Sequence, residues 1–271
     1  MSTPILIANA SYTENPSTIK FDIHTHDTYE IFCYLSGNAK YFVEGNTYPL
    51  KPGDILIMKK AEAHSLLIHS TLPYGRIVIH FNSDAIAESI RPKIVDFLDN
   101  RPLGTKNRFS ASLFKGTNWI YYLRKVCEIK NKGEASVYLS VLLSELCSHF
   151  DEIKEQAPVS GEIVDIVNIV KYINENLTND LTLDIICDHF FISKSHINRK
   201  FKKIIGTTVW EYIITKRLLL AKELLKNHVL PTEVYLECGF KDYSTFFRAY
   251  KSKFGVSPKN DSYQGDFVKK D

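Results

Sequence analysis

The hydrophobic period of this chain changes once, near residue 84, from two to 3.6, which restricts it to a β-rich unit followed by helices. Residues 20–82 hold short runs rich in β-branched and aromatic residues: Tyr29–Leu35, Ala39–Glu44, Asp54–Met58, His64–His69 and Arg76–Phe81. Turn chemistry at Gly45-Asn46 and Pro52-Gly53-Asp54 separates them, so a sandwich or barrel is expected. Beyond residue 84, Trp119, Leu123 and Val126 are spaced for one helix face, and Leu139, Leu142, Leu143, Leu146 and Phe150 for another. The stretch Gln156–Gly161, with its proline, serine and glycine, reads as a linker. A new helix follows it, carrying Ile163, Ile166, Val167, Val170 and Ile173 on one face.

A length of 271 residues suits about two domains, and 44% hydrophobic content is enough to build their cores. No run reaches the roughly 18 apolar residues of a membrane helix. The N-terminus MSTPILIANASYTENP also lacks the basic and apolar regions of a secretory signal, so a cytoplasmic chain with no membrane partner is expected. Cys33, Cys127, Cys147, Cys187 and Cys238 are odd in number and form no CxxC pair, which argues against a disulfide framework or a zinc knuckle. The formal net charge of +3 lies wholly in residues 160–271, where 17 Lys+Arg face 14 Asp+Glu. Lys194, Arg199, Lys200, Lys202 and Lys203 occur with no acid between Asp188 and Glu211. Such a stripe suits phosphate binding, or simply a solvated helix face.

After Asp180 a short helix, Leu183 to His189, leads through a turn into a second helix capped by Ser193. There Ile197, Phe201 and Ile204 share one face, while Ser195, Asn198, Arg199 and Lys202 fall on another at i, i+3, i+4 and i+7. One face packs and the other can enter a major groove, where Asn and Arg pair bidentately with adenine and guanine. An ordinary amphipathic surface helix has the same pattern. The next segment favours the first reading, because residues 208–226 form a long helix with Trp210, Ile214, Leu218, Ala221 and Leu225 on its stripe. At 1.5 Å per residue it is about 28 Å long, close to the ~34 Å between successive major-groove faces. A second unit follows: a short helix from Pro231, a turn at Gly239-Phe240, and a helix from about Asp242 with Ser244, Thr245, Arg248 and Lys251 on its polar side.

From residue 163 to 258 the chain resembles the AraC/XylS family of transcription regulators. The strings that carry the resemblance begin with Ile192-Ser-Lys-Ser-His-Ile-Asn-Arg-Lys-Phe-Lys-Lys-Ile-Ile-Gly206, then Tyr212, Arg217 and Ala221-Lys-Glu-Leu-Leu225. Gly239-Phe-Lys-Asp-Tyr-Ser-Thr-Phe-Phe-Arg-Ala-Tyr-Lys251 and Phe254-Gly-Val-Ser-Pro258 complete them. The resemblance implies base reading by Ser195, Asn198 and Arg199 in the first helix and by Tyr243, Ser244, Thr245 and Arg248 in the second; Lys202, on the same polar face of the first, is expected on phosphate. It also implies a double-stranded DNA operator, a homodimer, and RNA polymerase as a further partner. The sequence departs from the family where Pro231, Val234 and Tyr235 replace an Ile-x-x-Ile-Ala opening, and where no Tyr-Arg follows Pro258. The second head is therefore expected to anchor more than it reads.

In the N-terminal half, His24-Thr-His26-Asp-Thr-Tyr-Glu30, with six residues between Glu30 and Gly37, resembles the first cupin motif, and His64 stands where the second supplies its histidine. Alternation places His24 and His26 on one strand face, and His24, His26, Glu30 and His64 form a plausible set for Fe(II), Mn(II) or Zn(II). The alternative is a metal-free pocket in which these residues and Tyr34 bind an effector, with aromatic walls suited to a sugar or similar polyhydroxylated metabolite. Lys59-Lys60-Ala61-Glu62-Ala63 replaces the proline and glycine that usually shape the second motif. No acid pair, nucleophile–base set or phosphate loop supports catalysis, so a regulator is expected rather than the competing metal-dependent cupin enzyme fused to a helical module. The expected architecture is multidomain α and β. It comprises a cupin-like effector-binding β-barrel in residues 1–105, a helical dimerisation segment and linker in 106–158, and an all-α tandem helix-turn-helix DNA-binding domain in 159–271. No catalytic residue and no resident cofactor is expected, a divalent ion in the barrel being the one candidate.

Overall fold

The computed structural model describes residues 5–16, 23–26, 28–60, 62–68, 71–114, 116, 118–153, 162–226 and 229–263. The linker expected at Gln156–Gly161 lies outside them. Contacts divide the chain into an N-terminal unit, residues 1–22 and 26–157, and a C-terminal unit, residues 158–271 together with 23–25.

The N-terminal unit contains β1 (Leu6–Thr13), β2 (Tyr29–Ser36), β3 (Ala39–Val43), β4 (Asn46–Pro49), β5 (Ile55–Met58), β6 (His64–Ile68), β7 (Tyr74–Phe81) and β8 (Arg108–Phe109). Among the described residues the α-helices α1 (Arg91–Asp99), α2 (Trp119–Glu128) and α3 (Lys132–Ser148) accompany them. The strands form a five-stranded sheet in the order β1-β7-β2-β5-β8 and a three-stranded sheet in the order β4-β3-β6. Side-chain alternation gives β2 two buried faces. Ile31 and Cys33 join Ile55, Ile57, Ile77 and Ile79 in a core shared with Ile94, Leu98, Leu123, Leu139 and Leu143 of the helices. Phe32 and Tyr34 point the other way and pack with Leu56 and Met58 against Tyr41, Val43 and Leu66 of the smaller sheet.

Three features differ from the sequence pattern. Strand β1 is absent from it because this edge strand exposes Ile7 and Tyr12, 62% and 65% accessible, and so carries no clean apolar alternation. The β3–β4 turn centres on Glu44-Gly45, with φ of 45° and 97°, one residue before the expected position. The Glu44 side chain holds that left-handed conformation by accepting from the Ala63 N–H at 2.6 Å. The helices expected as a separate segment, α2 and α3, bury Leu123, Val126, Leu139 and Leu143 in the core of the large sheet, to which β8 also belongs.

The C-terminal unit is helical: α4 (Glu162–Glu175), α5 (Leu183–Phe190), α6 (Lys194–Ile205), α7 (Val209–Lys226), α8 (Pro231–Glu237), α9 (Tyr243–Phe254) and α10 (Pro258–Tyr263). Its helix ends follow capping chemistry. The hydroxyls of Thr182 and Ser193 accept from the N–H groups of Ile185 and His196 at the starts of α5 and α6. Gly206 and Gly255 close α6 and α9 in the left-handed conformation. Leu218, Ala221 and Leu225 of α7 pack with Val234, Cys238, Phe240, Phe246 and Tyr250 beneath the second helix pair.

Candidate functional site

Helix α6 separates its two faces sharply. Ile197, Phe201 and Ile205 are buried, with the Phe201 ring edge-on to Tyr212 of α7 at 5.5 Å. Ser195, Arg199 and Lys202 are exposed on the opposite side, as the sequence places them. Asn198 differs from its neighbours. It is partly buried, and its side-chain oxygen accepts from the Val209 N–H at 3.1 Å, satisfying a free donor at the start of α7. That start is also closed by a reciprocal box: the Glu211 N–H donates to the Thr208 hydroxyl at 3.2 Å, and the Thr208 N–H donates to the Glu211 carboxylate at 3.0 Å. These bonds from Thr208, with one from the Thr207 hydroxyl, lower the Glu211 carboxyl to about 2.

The second helix pair repeats the plan on a different support. The Asp242 carboxylate caps α9 by accepting from the Thr245 N–H at 2.7 Å. Ser244, Thr245 and Arg248 are exposed, while Phe246 and Tyr250 are buried. Tyr243 is only partly exposed: its ring lies edge-on to Tyr235 at 5.8 Å and close to Phe246 and Phe247. Tyr235, where the family pattern has a small residue, thus packs against Tyr243, the first residue of α9. A clamp joins the pairs. Buried Arg217 of α7 donates to the carbonyls of Leu177 and Asn179, 2.9 Å each, and Gly239, with φ of +82°, sits against the Leu177 carbonyl and the Arg217 guanidinium. A Cβ at Gly239 would stand 3.0 Å from the carbonyl oxygens of Leu177 and Thr178.

In the N-terminal unit four expected or adjacent side chains converge on one carboxylate. The Glu30 Oε2 lies 2.8 Å from His26 Nε2, 3.4 Å from His64 Nε2 and 3.7 Å from His80 Nε2. Tyr41 donates its hydroxyl to Glu30 Oε1 at 3.1 Å, and its ring stacks on that of His64. Burial opposes the charge of Glu30, but the His64 charge and the hydrogen bonds from His26 and His64 hold its carboxyl well below the usual range. Burial likewise lowers His64, and Glu30 more than reverses it, so His64 is raised; His80 is lowered, chiefly by burial. His80 was invisible in the sequence because it lies in no motif. Only the β2–β7 register sets it directly opposite Glu30. Tyr34 is fully buried in the apolar layer, 6.1 Å from the Tyr74 ring, so the tyrosine that meets the carboxylate is Tyr41. His24 belongs to the stretch 23–25 that groups with the C-terminal unit. Imidazole nitrogens around a carboxylate are a donor set that fits a divalent transition metal, and His26, Glu30 and His80 each offer a ligand atom within 4.8 Å of the others.

The region preceding Glu62 that departs from the cupin pattern has its own construction. Glu62 is fully buried and accepts from Arg101 at 2.7 and 2.9 Å, from Asn107 at 2.9 Å, and from the backbone N–H groups of Lys59 and Gly104. This hydrogen-bonded ion pair lies two residues before His64, which opens β6.

Residues 10–104 match the model of an AraC-like ligand binding domain, and residues 186–261 match that of a helix-turn-helix domain. A probable transcriptional regulator of Photobacterium leiognathi, LumQ, is 31% identical over 243 residues, covering 87% of this chain and 89% of its own. YfiF of Bacillus subtilis, described as an uncharacterized HTH-type transcriptional regulator, is 25% identical over 246 residues, covering 87% and 77%. Among solved structures, ToxT of Vibrio cholerae with an unsaturated fatty acid bound is similar along the full length of both chains, with 16% identity and a TM-score of 0.40.

Proposed function

This chain belongs to the AraC-type family of helix-turn-helix transcription regulators, and from that premise we propose that it reads paired operator sites as a homodimer whose occupancy a small metabolite sets. It is a DNA-binding regulator with a ligand-binding domain. The observation that carries the reading is the pair of capped helices α6 and α9, each exposing a polar set, separated by α7. The 18 residues of α7 span about 27 Å, near the ~34 Å repeat of the major groove. Each protomer would then read two successive groove faces, Arg199 leading in the first, with α9 anchoring more than reading because Tyr243 is occupied in packing.

The effector we assign to the β-unit is a sugar or related polyhydroxylated compound, favoured by a carboxylate, imidazoles and the Tyr41 ring in one place. We place its action in the cytoplasm, with RNA polymerase as a further partner. Regulation is favoured over catalysis because the relatives bear regulator names. Selection from random duplex DNA tests the reading. The bound pool should show two short preferred blocks about 10–10.5 bp apart per protomer. A pool with no sequence preference would remove the proposal.

A further inference from the structure

We propose that a cavity beside β8 of the N-terminal unit binds a small organic anion, carboxylate- or phosphate-bearing, through Lys51, Lys106 and Arg108. The cavity measures about 490 Å³, within the roughly 300–1,000 Å³ usual for small-molecule sites. It stands apart from the carboxylate–imidazole group, since none of Glu30, His26, His64 and His80 lines it. Among the described residues its three cations are accompanied by one lining acid, Glu152, whose carboxylate lies 3.0 Å from His149 Nδ1. A concave wall with an excess of positive charge favours an anionic guest over a neutral one.

The fold places these cations and leaves them with donors to spare. Arg108 shows this most directly: its side chain is 10% exposed, and Asp54 Oδ2 lies 2.9 Å from Nε and 2.7 Å from Nη2. That pairing fixes the guanidinium and leaves Nη1 without a partner among the described residues. Lys106 is held at φ of 50°, a left-handed conformation that residues with a Cβ seldom adopt, and its ammonium stands 4.4 Å over the Phe150 ring. Such strain persists where the surrounding structure dictates it, and here it sets a cation at a cavity wall. Neither Lys51 nor Lys106 has a carboxylate within ion-pair distance among the described residues. Neutral groups complete the site. The Oγ atoms of Ser110 and Ser112 are 3.0 Å apart, a bond that uses one hydroxyl proton and leaves the other for a guest. Buried Asn107 donates from Nδ2 to the Ile57 carbonyl at 2.8 Å and to Glu62 at 2.9 Å, and its Oδ1 has no partner. An unmet acceptor among these cations suits a guest that carries hydroxyls as well as its charge. Tyr48 and Ile153 add apolar surface for the carbon body.

This inference is independent of the DNA reading, and its test needs no operator. Full-length protein is titrated calorimetrically with D-glucose 6-phosphate, D-gluconate, inorganic phosphate and uncharged D-glucose. The first two separate a phosphate head from a carboxylate head. We expect saturable one-to-one binding of at least one of them, weakening as salt is raised. Lys51→Gln and Lys106→Gln should each weaken that binding about tenfold, and Lys106→Arg should retain most of it. Any heat with D-glucose should be the same in all three variants. Lys40→Gln, exposed on β3 and outside the cavity lining, should match the wild type and so controls for diffuse charge. Far-UV circular dichroism checks that each variant folds, and Lys51, exposed in a loop, carries the test if Lys106→Gln does not. Four results overturn the proposal: no saturable binding of either organic anion at millimolar concentration, a response to inorganic phosphate only, affinity untouched in both folded lining variants, or an equal loss in Lys40→Gln.

Discussion

Arg199 and Lys202 stand one helical turn apart on α6, both exposed, yet their chemistry separates their roles. Arg199→Ala should cost roughly 1–3 kcal/mol at a preferred site and relax preference there, measured by titration against matched and mutated duplexes. Lys202→Ala should weaken binding evenly across sequences and reduce the salt slope by about one. Equal losses on specific and random DNA from both would refute the assignment. Asn198 was legible in the sequence only as a groove residue; its bond to the Val209 N–H depends on how α7 returns against α6, which spacing within one helix cannot reveal. Asn198→Ala should therefore lower stability by about 1 kcal/mol even without DNA, while Asn198→Asp, which keeps the accepting oxygen, should recover most of it. Denaturant unfolding of the two variants settles the point.

At the scale of elements, the clearest contrast lies between two glycines that share a left-handed conformation. Gly255 has open space where a Cβ would go, whereas Gly239 is pressed against the Leu177 carbonyl that Arg217 holds and the neighbouring Thr178 carbonyl. Gly255→Ala should cost only the conformational term, about 1–2 kcal/mol, and Gly239→Ala distinctly more. Equal shifts in urea midpoint would show that the clamp is not tight. The capping box of α7 gives a pH dependence with a definite sign. Glu211 is lowered to about 2 by its bonds to Thr208 and Thr207, so its contribution is present above about pH 4.5 and fades as pH falls toward 2. Glu211→Gln should flatten that acid limb of the stability profile; an unchanged limb would remove Glu211 as its source. The tandem helices and their caps were readable because they are set by local sequence. Strand β1 was not, since an edge strand with exposed apolar side chains has no local signature.

For the molecule as a whole, an effector that binds only the folded sensor raises its stability by mass action. A true ligand at 100 times its dissociation constant should add roughly 2.7 kcal/mol, and a thermal-shift panel of sugars and sugar acids reads this directly. A flat response across the panel, alongside a clear response to another metabolite class, would move the effector out of the carbohydrates. The same protein should change its distribution between paired and single operator sites when the ligand is present, which gel mobility on two-site and one-site DNA measures.

The sequence by itself determined the order of β unit and helical unit, the helices α6 and α9 and their exposed polar sets, because periodicity and capping act over a few residues. Tertiary structure alone decided the rest. Strand pairing set His80 opposite Glu30 and exchanged Tyr34 for Tyr41 at the carboxylate. The packing of α2 and α3 on the large sheet made them part of one core. The return of α7 gave Asn198 a structural bond within the polar face of α6. Each of these is a contact between residues far apart in the chain, fixed by which surfaces bury together, and no local pattern specifies such a choice.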